Sequence, residues 1–321
     1  MKILVTGGAG YIGSVVTYKL VEQGNDVTVI DDLSNGFATN VHAKAKFIEG
    51  SILEKEKILG ALNGVEAVIH LAAKIRVEEG EVKPELYKSV NVDGTLMLLE
   101  LCKSKNINKF IFASTAAVYG EPEDYPVTEN SNVAPVNVYG KTKLEIDEYL
   151  SVNAIKSGLS AISFRFFNVG GALKTKEGNW LRIKHEGATH LIPSILHSSA
   201  NKPLQIFGKD WPTQDGTPVR DYVHVMDIAE AIIVGLAKLD TPGHSVINLG
   251  TSNGSTVLQV AQAAGKVLNK KIVYVFADRR EGDSFALVTS NEKASKILGW
   301  KPKFNLESIL SDANSELIAN K

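Results

Sequence analysis

The chain has 321 residues and a formal net charge of −1, with 44% hydrophobic and 22% charged residues. This length and balance indicate a globular protein and exclude intrinsic disorder and collagen-like repeats. A charge near zero provides no global positive field for nucleic acid or an anionic membrane. We expect no membrane span, since no stretch approaches roughly 18–20 apolar residues. The single cysteine, Cys102, excludes an intrachain disulfide and fits a reducing, cytoplasmic compartment.

The first half alternates short apolar runs of β type with amphipathic helical stretches. The predicted strands cover residues 3–5, 27–30, 46–49, 67–70, 109–113 and 160–166, and the predicted helices include 14–23 and 91–103. Repeated strand–helix–strand order implies a parallel sheet with right-handed crossovers and helices on both faces. The predicted fold class is therefore α/β, a Rossmann-type doubly wound parallel sheet.

The second half loses this rhythm. Residues 170–189 are polar, charged and Gly-rich, which predicts the start of a second lobe. We predict one domain over 1–168, to which 221–248 return. Residues 169–321 form a smaller C-terminal α+β lobe in this prediction.

A glycine-rich segment joins the first strand to the first helix, with Gly7, Gly10 and Gly13 at regular spacing. Such glycines permit a tight turn, close approach of the backbone to a pyrophosphate, and close packing of helix on strand. Free N–H groups at the helix N-terminus suit phosphate. The pattern predicts a dinucleotide site, with a purely structural turn as the alternative. Asp31 and Asp32 end the next strand, where a carboxylate accepts hydrogen bonds from ribose and repels a 2′-phosphate, so we expect NAD rather than NADP.

Tyr139 and Lys143 stand one helical turn apart and would share one helix face. Tyrosine is a weak base, with an ordinary pKa of about 10, but a nearby ammonium and an oxidised nicotinamide favour the phenolate. A pKa lowered by about 3 units corresponds to roughly 4 kcal/mol. Ser114 and Thr115 end a strand and would face the cofactor crevice, with Thr115 orienting a substrate oxygen. The pair predicts proton abstraction from a hydroxyl as hydride leaves the same carbon; a solvated helix face is the alternative.

These motifs together resemble the extended short-chain dehydrogenase/reductase family over essentially the whole chain. The matching segments are TGGAGYIGS at 6–14, the hydroxyls at 114–115 and YGKTK at 139–143. The segments at 206–227, IFGKDWPTQDGTPVRDYVHVMD, and at 279–283, RREGD, resemble its nucleotide-sugar 4-epimerases. This resemblance implies an NAD-dependent isomerase that interconverts UDP-glucose and UDP-galactose. NAD would accept hydride from sugar C4 and return it to the opposite face of a 4-keto sugar.

The resemblance also assigns residues to the reaction and to both ligands. The catalytic set is Tyr139, Lys143, Thr115 and Ser114. The NAD set is Gly7, Gly10, Tyr11, Ile12, Gly13, Asp31, Asp32, Asn35, Ser51, Ile52, Leu71, Ala72, Ala73, Asn91, Tyr139, Lys143 and Phe166. The UDP-hexose set is Thr115, Asn168, His190, Leu191, Gln205, Phe207, Arg220, Arg280, Asp283 and Leu287. Residues 1–168 would accordingly bind NAD and 169–321 the UDP-sugar.

Within the substrate set, Asn168, Arg220 and Arg280 would hold the diphosphate, Asp283 the uridine ribose and Phe207 the uracil. The alternative for the two arginines is an ion pair with a neighbouring acid, Asp221 or Glu281. Asn91 would lie near the nicotinamide or simply cap the helix that follows it.

Three positions depart from the family's pattern. Ser51 replaces an aspartate that contacts adenine, so the adenine pocket would be less selective; the alternative is that Ser51 is an ordinary turn residue. Ile75 replaces a lysine near the cofactor phosphates, for which Lys74 or Arg76 would substitute. Leu287 gates the space for the sugar's C2 substituent, which leaves N-acetylated UDP-sugars open as substrates.

Rival functions are a 4,6-dehydratase of nucleotide sugars, a UDP-N-acetylglucosamine 4-epimerase and a non-catalytic NAD-sensing protein. Dehydratases of this family carry an acidic pair after the catalytic threonine, where this chain has Ala116 and Ala117. The intact Tyr139 and Lys143 argue against a mere sensor. We expect no metal, because the histidines lack carboxylate support at ligand spacing. The resemblance further suggests a homodimer through helices near 92–103 and 141–157.

Overall fold

The computed structural model describes residues 1–185, 190–280 and 282–320, so Glu281 and part of the polar segment 170–189 lie outside the described residues. The chain forms two compact units. The first unit consists of Met1–Val118, Pro135–Arg165 and Ala229–Ile247. The second unit consists of Tyr119–Ala134, Phe166–Ile228 and Asn248–Lys321. The chain therefore enters the first unit three times.

The helices and strands are numbered separately along the chain. The strands are β1 (Lys2–Thr6), β2 (Asp26–Asp31), β3 (Lys46–Glu49), β4 (Ala67–His70), β5 (Lys109–Thr115), β6 (Ser160–Phe166), β7 (Asn168–Gly170), β8 (Leu204–Phe207), β9 (Val219–His224), β10 (Gly243–Leu249), β11 (Gly254–Thr256), β12 (Tyr274–Ala277) and β13 (Ala286–Leu287). The α-helices are α1 (Tyr11–Glu22), α2 (Lys55–Ala61), α3 (Val77–Val82), α4 (Pro84–Tyr87), α5 (Gly94–Ser104), α6 (Val138–Ser157), α7 (Leu191–Leu196), α8 (Val225–Leu236), α9 (Val257–Val267), α10 (Glu292–Leu298) and α11 (Leu306–Ala319). Across these described residues, no helix has the length and apolarity needed to cross a bilayer.

The first unit is built on a seven-stranded sheet in the order β10-β6-β5-β4-β1-β2-β3. β1 pairs in parallel with both β2 and β4, and the β2–β3 and β4–β5 pairs are parallel as well. The strand order reverses between β1 and β4, which is the switch point where doubly wound sheets bind ligands. The predicted Rossmann-type α/β fold class is confirmed.

The sheet of the first unit is covered by helices. Side chains of α2, α5 and α6 share one apolar core with the sheet, including Ile58, Leu98, Ile146 and Phe110. Every position of β4 is buried, as expected for a parallel strand with both faces covered. Full burial of each large aliphatic side chain contributes about 1.5–3 kcal/mol, so this core fixes the strand ends that carry the site.

The predicted helix over 91–103 begins later than expected, at Gly94, and is preceded by a π-helical segment over Lys88–Asp93. The Asn91 side chain forms two hydrogen bonds with the backbone of the loop after β4. Its Oδ1 accepts from the Lys74 N–H at 2.8 Å, and its Nδ2 donates to the Lys74 carbonyl at 2.9 Å. Asn91 therefore fixes a loop instead of capping α5, and π-helical turns are frequent at functional sites.

The second unit has a smaller α+β architecture around β9. This strand pairs antiparallel with β11 and parallel with β13 and β7. β8 and β12 form a separate parallel pair. α7, α9 and α11 bury an apolar core that includes Ile195, Val260 and Ile309.

The return of the chain to the first unit differs from the predicted range of 221–248. Residues Asp221 to His224 belong to β9, whose partners all lie in the second unit. The returning segment is therefore Ala229–Ile247, which supplies most of α8 and β10. Strand pairing, which is a long-range property, decides this boundary.

Candidate active site

The glycine loop between β1 and α1 is shaped by contacts that only glycine permits. Gly7 has a φ of +72°, and a Cβ there would lie 2.7 Å from the Ala72 nitrogen. A Cβ on Gly13 would collide with the Gly7 carbonyl oxygen. Gly10 caps α1, whose first turn contains no acidic residue. The loop thus offers bare backbone and the positive end of a helix dipole, which suits a pyrophosphate.

Asp31 ties the loop after β2 to this glycine loop. Its Oδ2 accepts from the Ala9 N–H at 2.9 Å and its Oδ1 from the Leu33 N–H at 2.8 Å. Burial raises the pKa of Asp31 above its ordinary value, although these N–H groups oppose the rise. The Gly10 N–H also hydrogen-bonds this carboxylate. A carboxylate has about four lone-pair sites, so it can still accept from a ribose hydroxyl. Asn35 is exposed on the same loop.

A cavity of about 330 Å³ lies at the carboxyl ends of β2 and β3, lined by Asp32, Glu49, Gly50, Ser51, Glu54 and Lys57. Ser51 donates its N–H to Glu54 Oε2 at 2.6 Å, and its Oγ accepts from the Leu53 N–H at 3.2 Å. Ser51 is therefore partly occupied in forming the turn. The position beside Asp31 suits the adenosine end of a dinucleotide, and the glycine cradle suits its pyrophosphate, so the residues present fit NAD.

The glycine loop is bordered or continued by four more residues assigned to NAD: Tyr11, Ile12, Leu71 and Ala72. Leu71 donates its N–H to the Thr6 carbonyl at 3.1 Å, and Gly7 faces the Leu71–Ala72 backbone. Tyr11 and Ile12 form the first turn of α1, and Ala73 follows Ala72. Ile52 is buried in the apolar core, and Phe166 is half-buried at the end of β6.

Lys74, which is expected to substitute for a lysine near the cofactor phosphates, contacts the loop after β2. Its Nζ lies 3.2 Å from Ser34 Oγ and 4.0 Å from Asp32 Oδ2. Burial alone would raise the pKa of Asp32, but hydrogen bonds from Ser34 and the Lys74 charge hold it below its ordinary value. Ile75 is 40% exposed. A contact of Lys74 or Arg76 with the cofactor phosphates stays a prediction.

The predicted catalytic pair lies at the start of α6. Asn137 caps the helix by accepting from the Gly140 N–H at 2.8 Å, and a Cβ on Gly140 would lie 2.8 Å from the Ala117 oxygen. This close approach brings the helix against the end of β5, where the Thr115 side chain hydrogen-bonds Tyr139. Lys143 Nζ lies 6.0 Å from the centroid of the Tyr139 ring. The structure therefore brings together tyrosine, lysine and threonine.

Burial shifts the pKa values of both members of the predicted catalytic pair. It raises the pKa of Tyr139 to about 12, although the hydrogen bond with Thr115 lowers it. Burial also lowers the pKa of Lys143 to about 7, opposed by the charge of Asp147. The lowering of the phenol pKa expected from Lys143 together with an oxidised nicotinamide stays a prediction for the NAD-bound protein.

Ser114 does not join this group. It is buried, and its hydroxyl donates to Asp147 Oδ2 at 3.0 Å. Adjacent residues of a strand point to opposite faces, so Thr115 meets Tyr139 while Ser114 faces the interior. We therefore propose that Ser114 acts in the site through its hydrogen bond to Asp147.

In the second unit, two residues assigned to UDP pair with each other. Arg220 Nη2 donates to Asp283 Oδ1 at 3.1 Å, and its Nη1 donates to the Ser284 carbonyl at 2.9 Å. Leu287 lies opposite Arg220 in the β13–β9 register. The alternative pairing of Arg220 with Asp221 is wrong, because the Asp221 carboxylate is fully buried and accepts from Thr251 and Ser252. Glu281 lies outside the described residues.

The remaining assigned residues of the second unit occupy three places. The Arg280 guanidinium carbon lies 3.7 Å from the centroid of the Phe207 ring, a cation–π contact. Gln205 is exposed two residues earlier on β8, and Asn168 lies opposite Tyr222 in the β7–β9 register. His190 precedes α7, and Leu191 packs against the apolar core of that helix.

The sequence patterns did not indicate two further buried charged residues, Asp147 and Arg165. Asp147 lies one turn beyond Lys143 along α6 and is bonded by Arg165 Nε at 3.1 Å. The sequence shows that Lys143 and Asp147 are four residues apart and would share one helix face. It does not show that both side chains are buried, because α6 as a whole has little apolar periodicity.

A Rossmann switch point carrying a glycine cradle and a Tyr–Lys pair defines an NAD-dependent enzyme of the α/β class. The chain belongs to the NAD dependent epimerase/dehydratase family, which matches residues 3–250. It is 42% identical over 316 residues to a UDP-glucose 4-epimerase of Corynebacterium glutamicum, covering 98% of this chain and 94% of that protein.

Solved structures agree in fold over the whole chain. A UDP-glucose 4-epimerase from Stenotrophomonas, with bound NAD and formylated UDP-arabinopyranose, matches with a TM-score of 0.94 at 31% identity, covering 100% of this chain and 98% of that one. The UDP-Glc/GlcNAc 4-epimerase of Campylobacter jejuni matches with a TM-score of 0.85 at 34% identity, covering 98% of each chain.

Proposed function

We propose that the protein interconverts UDP-glucose and UDP-galactose by transient oxidation at sugar C4. The observation that carries this proposal is the hydrogen-bonded Thr115–Tyr139 pair beside Lys143, positioned at the edge of a Rossmann sheet with a glycine cradle. Relatives named as UDP-glucose 4-epimerases, similar over nearly the whole chain, support the same reaction.

The glycine cradle and Asp31 would hold NAD, which would supply reversible hydride exchange at C4 with no net redox change. Tyr139 would take the proton of the 4-hydroxyl and give it back, while Thr115 holds the same oxygen. Proton transfer by a positioned side chain contributes about 10²–10⁴-fold to such a rate. Ala116 and Ala117 follow Thr115 where a dehydratase needs an acid and a base, so removal of water is not supported.

The second unit would hold the nucleoside diphosphate. Arg220, already oriented by carbonyls and Asp283, and Arg280, stacked on Phe207, present planar forks that match phosphate oxygens. Asp283 would accept from the ribose hydroxyls. Firm binding of UDP allows the hexose to turn over and expose its other face while remaining bound.

We also propose that the first unit binds NAD and the second the UDP-sugar, in a cytoplasmic homodimer. Support for the dimer is an exposed apolar stripe on α6, where Tyr149, Val152 and Ile155 are 37%, 60% and 72% exposed. Such a stripe is typical of a helix that packs against a partner. Support for a reducing compartment is that Cys102 is the single cysteine of the chain, so the fold uses no intrachain disulfide.

The direct test incubates the purified protein, with its nucleotide content measured, with UDP-galactose, and identifies products by chromatography and NMR. The expected result is UDP-glucose, formed without net consumption of NAD. Conversion to a 4-keto-6-deoxy product, or no conversion after reconstitution with NAD, would overturn the proposal.

A second candidate is epimerisation of UDP-N-acetylglucosamine. Leu287 is half-buried beside Arg220 on β13, and its intermediate size does not close the C2 position to an acetamido group. The similarity to the Campylobacter enzyme favours the same possibility. Parallel incubation with UDP-N-acetylgalactosamine discriminates the two.

A further inference from the structure

The interior of the first unit holds two cationic side chains and the carboxylate of Asp147. Lys143 and Asp147 lie on one face of α6, and each is 2% exposed. Arg165, on β6, is 5% exposed, and its Nε lies 3.1 Å from Asp147 Oδ2. An isolated buried charge is costly, so the carboxylate that pairs with Arg165 and lies one turn from Lys143 favours the charged form of both cations.

The Asp147 carboxylate is held from one side only. Oδ2 accepts from Ser114 Oγ at 3.0 Å and from Arg165 Nε at 3.1 Å. Oδ1 is buried and has no hydrogen-bond partner within residues 1–185, 190–280 and 282–320. The carboxylate is thus oriented by β5 and β6 but keeps one oxygen uncommitted.

The groups around Lys143 come from four elements. On α6 they are Tyr139 and Asp147, and Arg165 of β6 is connected to them through its contact with Asp147. From β5, the Phe112 ring centroid lies 4.7 Å from Lys143 Nζ. From β4 comes His70, whose ring nitrogens bond Thr6 and Thr95 at 2.7 and 2.8 Å and whose pKa is lowered to about 3 by burial and by Lys143. Asp147 is therefore the one anion among these groups when Tyr139 is protonated.

We propose that Asp147 is a positioning residue that keeps Lys143 protonated, and that Ser114 and Arg165 limit this effect by orienting and partly neutralising the carboxylate. The inference rests on the proposed function only for its catalytic consequence. In this proposal Asp147 acts on Tyr139 only through the charge of Lys143.

The proposal requires opposite effects from two substitutions. Asp147→Asn removes the anion, so the proton on Lys143 is lost at lower pH, by about one unit or more. Arg165→Met removes a competing cation and leaves the carboxylate to Lys143, so the proton is retained to higher pH. A purely structural cluster would lower thermal stability in both variants without moving this titration in opposite directions.

The test uses the full-length protein as purified, labelled with ¹³C at the lysine Cε, and follows the Lys143 resonance against pH by NMR. Lys143→Met assigns that resonance. Glu148→Gln is the matched control, because it removes a carboxylate from an exposed position of α6 next to Asp147. The control is expected to leave both the titration and the rate unchanged.

The second readout is the pH dependence of kcat for the sugar nucleotide. Its basic limb is expected to move down in Asp147→Asn and up in Arg165→Met, with a smaller change in KM. Equal titration of Lys143 in wild type, Asp147→Asn and Arg165→Met would overturn the proposal, whether or not the enzyme is an epimerase. Absence of epimerisation with the expected NMR shifts would overturn only the function.

Asp147→Asn leaves Arg165 without its buried partner and endangers folding. The double variant Asp147→Asn/Arg165→Met removes both charges and keeps the test valid in that case. Its Lys143 titration is expected to lie below that of Arg165→Met alone. Coincidence of those two titrations would also overturn the proposal.

Discussion

Arg220 and Asp283 are 63 residues apart in the chain, yet the arginine donates to the carboxylate at 3.1 Å in the second unit. The resemblance assigned them to different parts of the substrate, the diphosphate and the uridine ribose. Their contact means that each side chain orients the other before any ligand binds. A preformed pair of this kind reduces the ordering cost of binding.

Asp283→Asn is expected to weaken UDP binding about 10- to 100-fold, because hydrogen bonds to charged groups contribute about 1.5–3 kcal/mol. Calorimetry with UDP measures the effect. Asp210→Asn is the control, since Asp210 pairs at 2.9 Å with Arg279, an exposed residue. An unchanged Kd for UDP in Asp283→Asn would remove Asp283 from the uridine site, and NAD content should stay constant in both variants.

Gly13→Ala is expected to abolish retention of NAD and to destabilise the protein by about 1–3 kcal/mol, because the new methyl group collides with the Gly7 carbonyl. The matched control is Gly60→Ala in α2, where no atom lies within 4 Å of the added Cβ. That control is expected to stabilise by about 0.4–1 kcal/mol. Thermal unfolding and the NAD content of the purified proteins measure both effects, and a Gly13→Ala variant that retains NAD would contradict the cradle.

Tyr139→Phe is expected to lower kcat by about 10²–10⁴-fold, since it removes the proton acceptor. UDP binding should survive, because the UDP contacts are assigned to other residues. A rate close to that of the wild type would exclude Tyr139 as the base.

The pKa of Tyr139 is expected to change when the cofactor binds. The pKa of Tyr139 is about 12 in the protein alone, so at pH 7 the phenol is almost entirely protonated. A bound nicotinamide cation favours the phenolate and should move its titration to lower pH. Ultraviolet difference spectra between wild type and Tyr139→Phe, with and without NAD, measure this shift. If NAD does not change the pH at which Tyr139 titrates, the proposed stabilisation of the phenolate by the nicotinamide cation is contradicted.

Leu287→Ser is expected to raise kcat/KM for UDP-N-acetylglucosamine relative to UDP-glucose, because the shorter side chain enlarges the space beside Arg220. Leu287→Met, which conserves volume, is the control and should leave the ratio nearly unchanged. Competition between the two substrates in one reaction measures the ratio directly. Identical ratios in all three proteins would refute the gate.

Sequence patterns predicted those parts of the molecule whose determinants are local. The glycine loop, the acid after β2 and the Tyr139–Lys143 pair each lie within a single strand–helix unit, where spacing fixes geometry. The parallel sheet followed from the alternation of strands and helices. These features needed no knowledge of distant contacts.

Distant contacts decided the remaining features. The orientation of Ser114 depends on Asp147, which lies 33 residues away, and the use of Asn91 depends on the loop at Lys74. The pKa of Tyr139 depends on how deeply the completed fold buries it. Each of these is set by tertiary packing, which a single sequence does not display.

The discontinuity of the first unit has a consequence for its synthesis. Its sheet ends in β10, which begins at Gly243, beside β6, which ends at Phe166. While the ribosome adds the residues between them, β6 is an open edge whose backbone groups can pair with another nascent chain. This edge of the sheet is covered only after the ribosome has added β10, so mispairing of β6 is favoured by slow translation of the intervening residues.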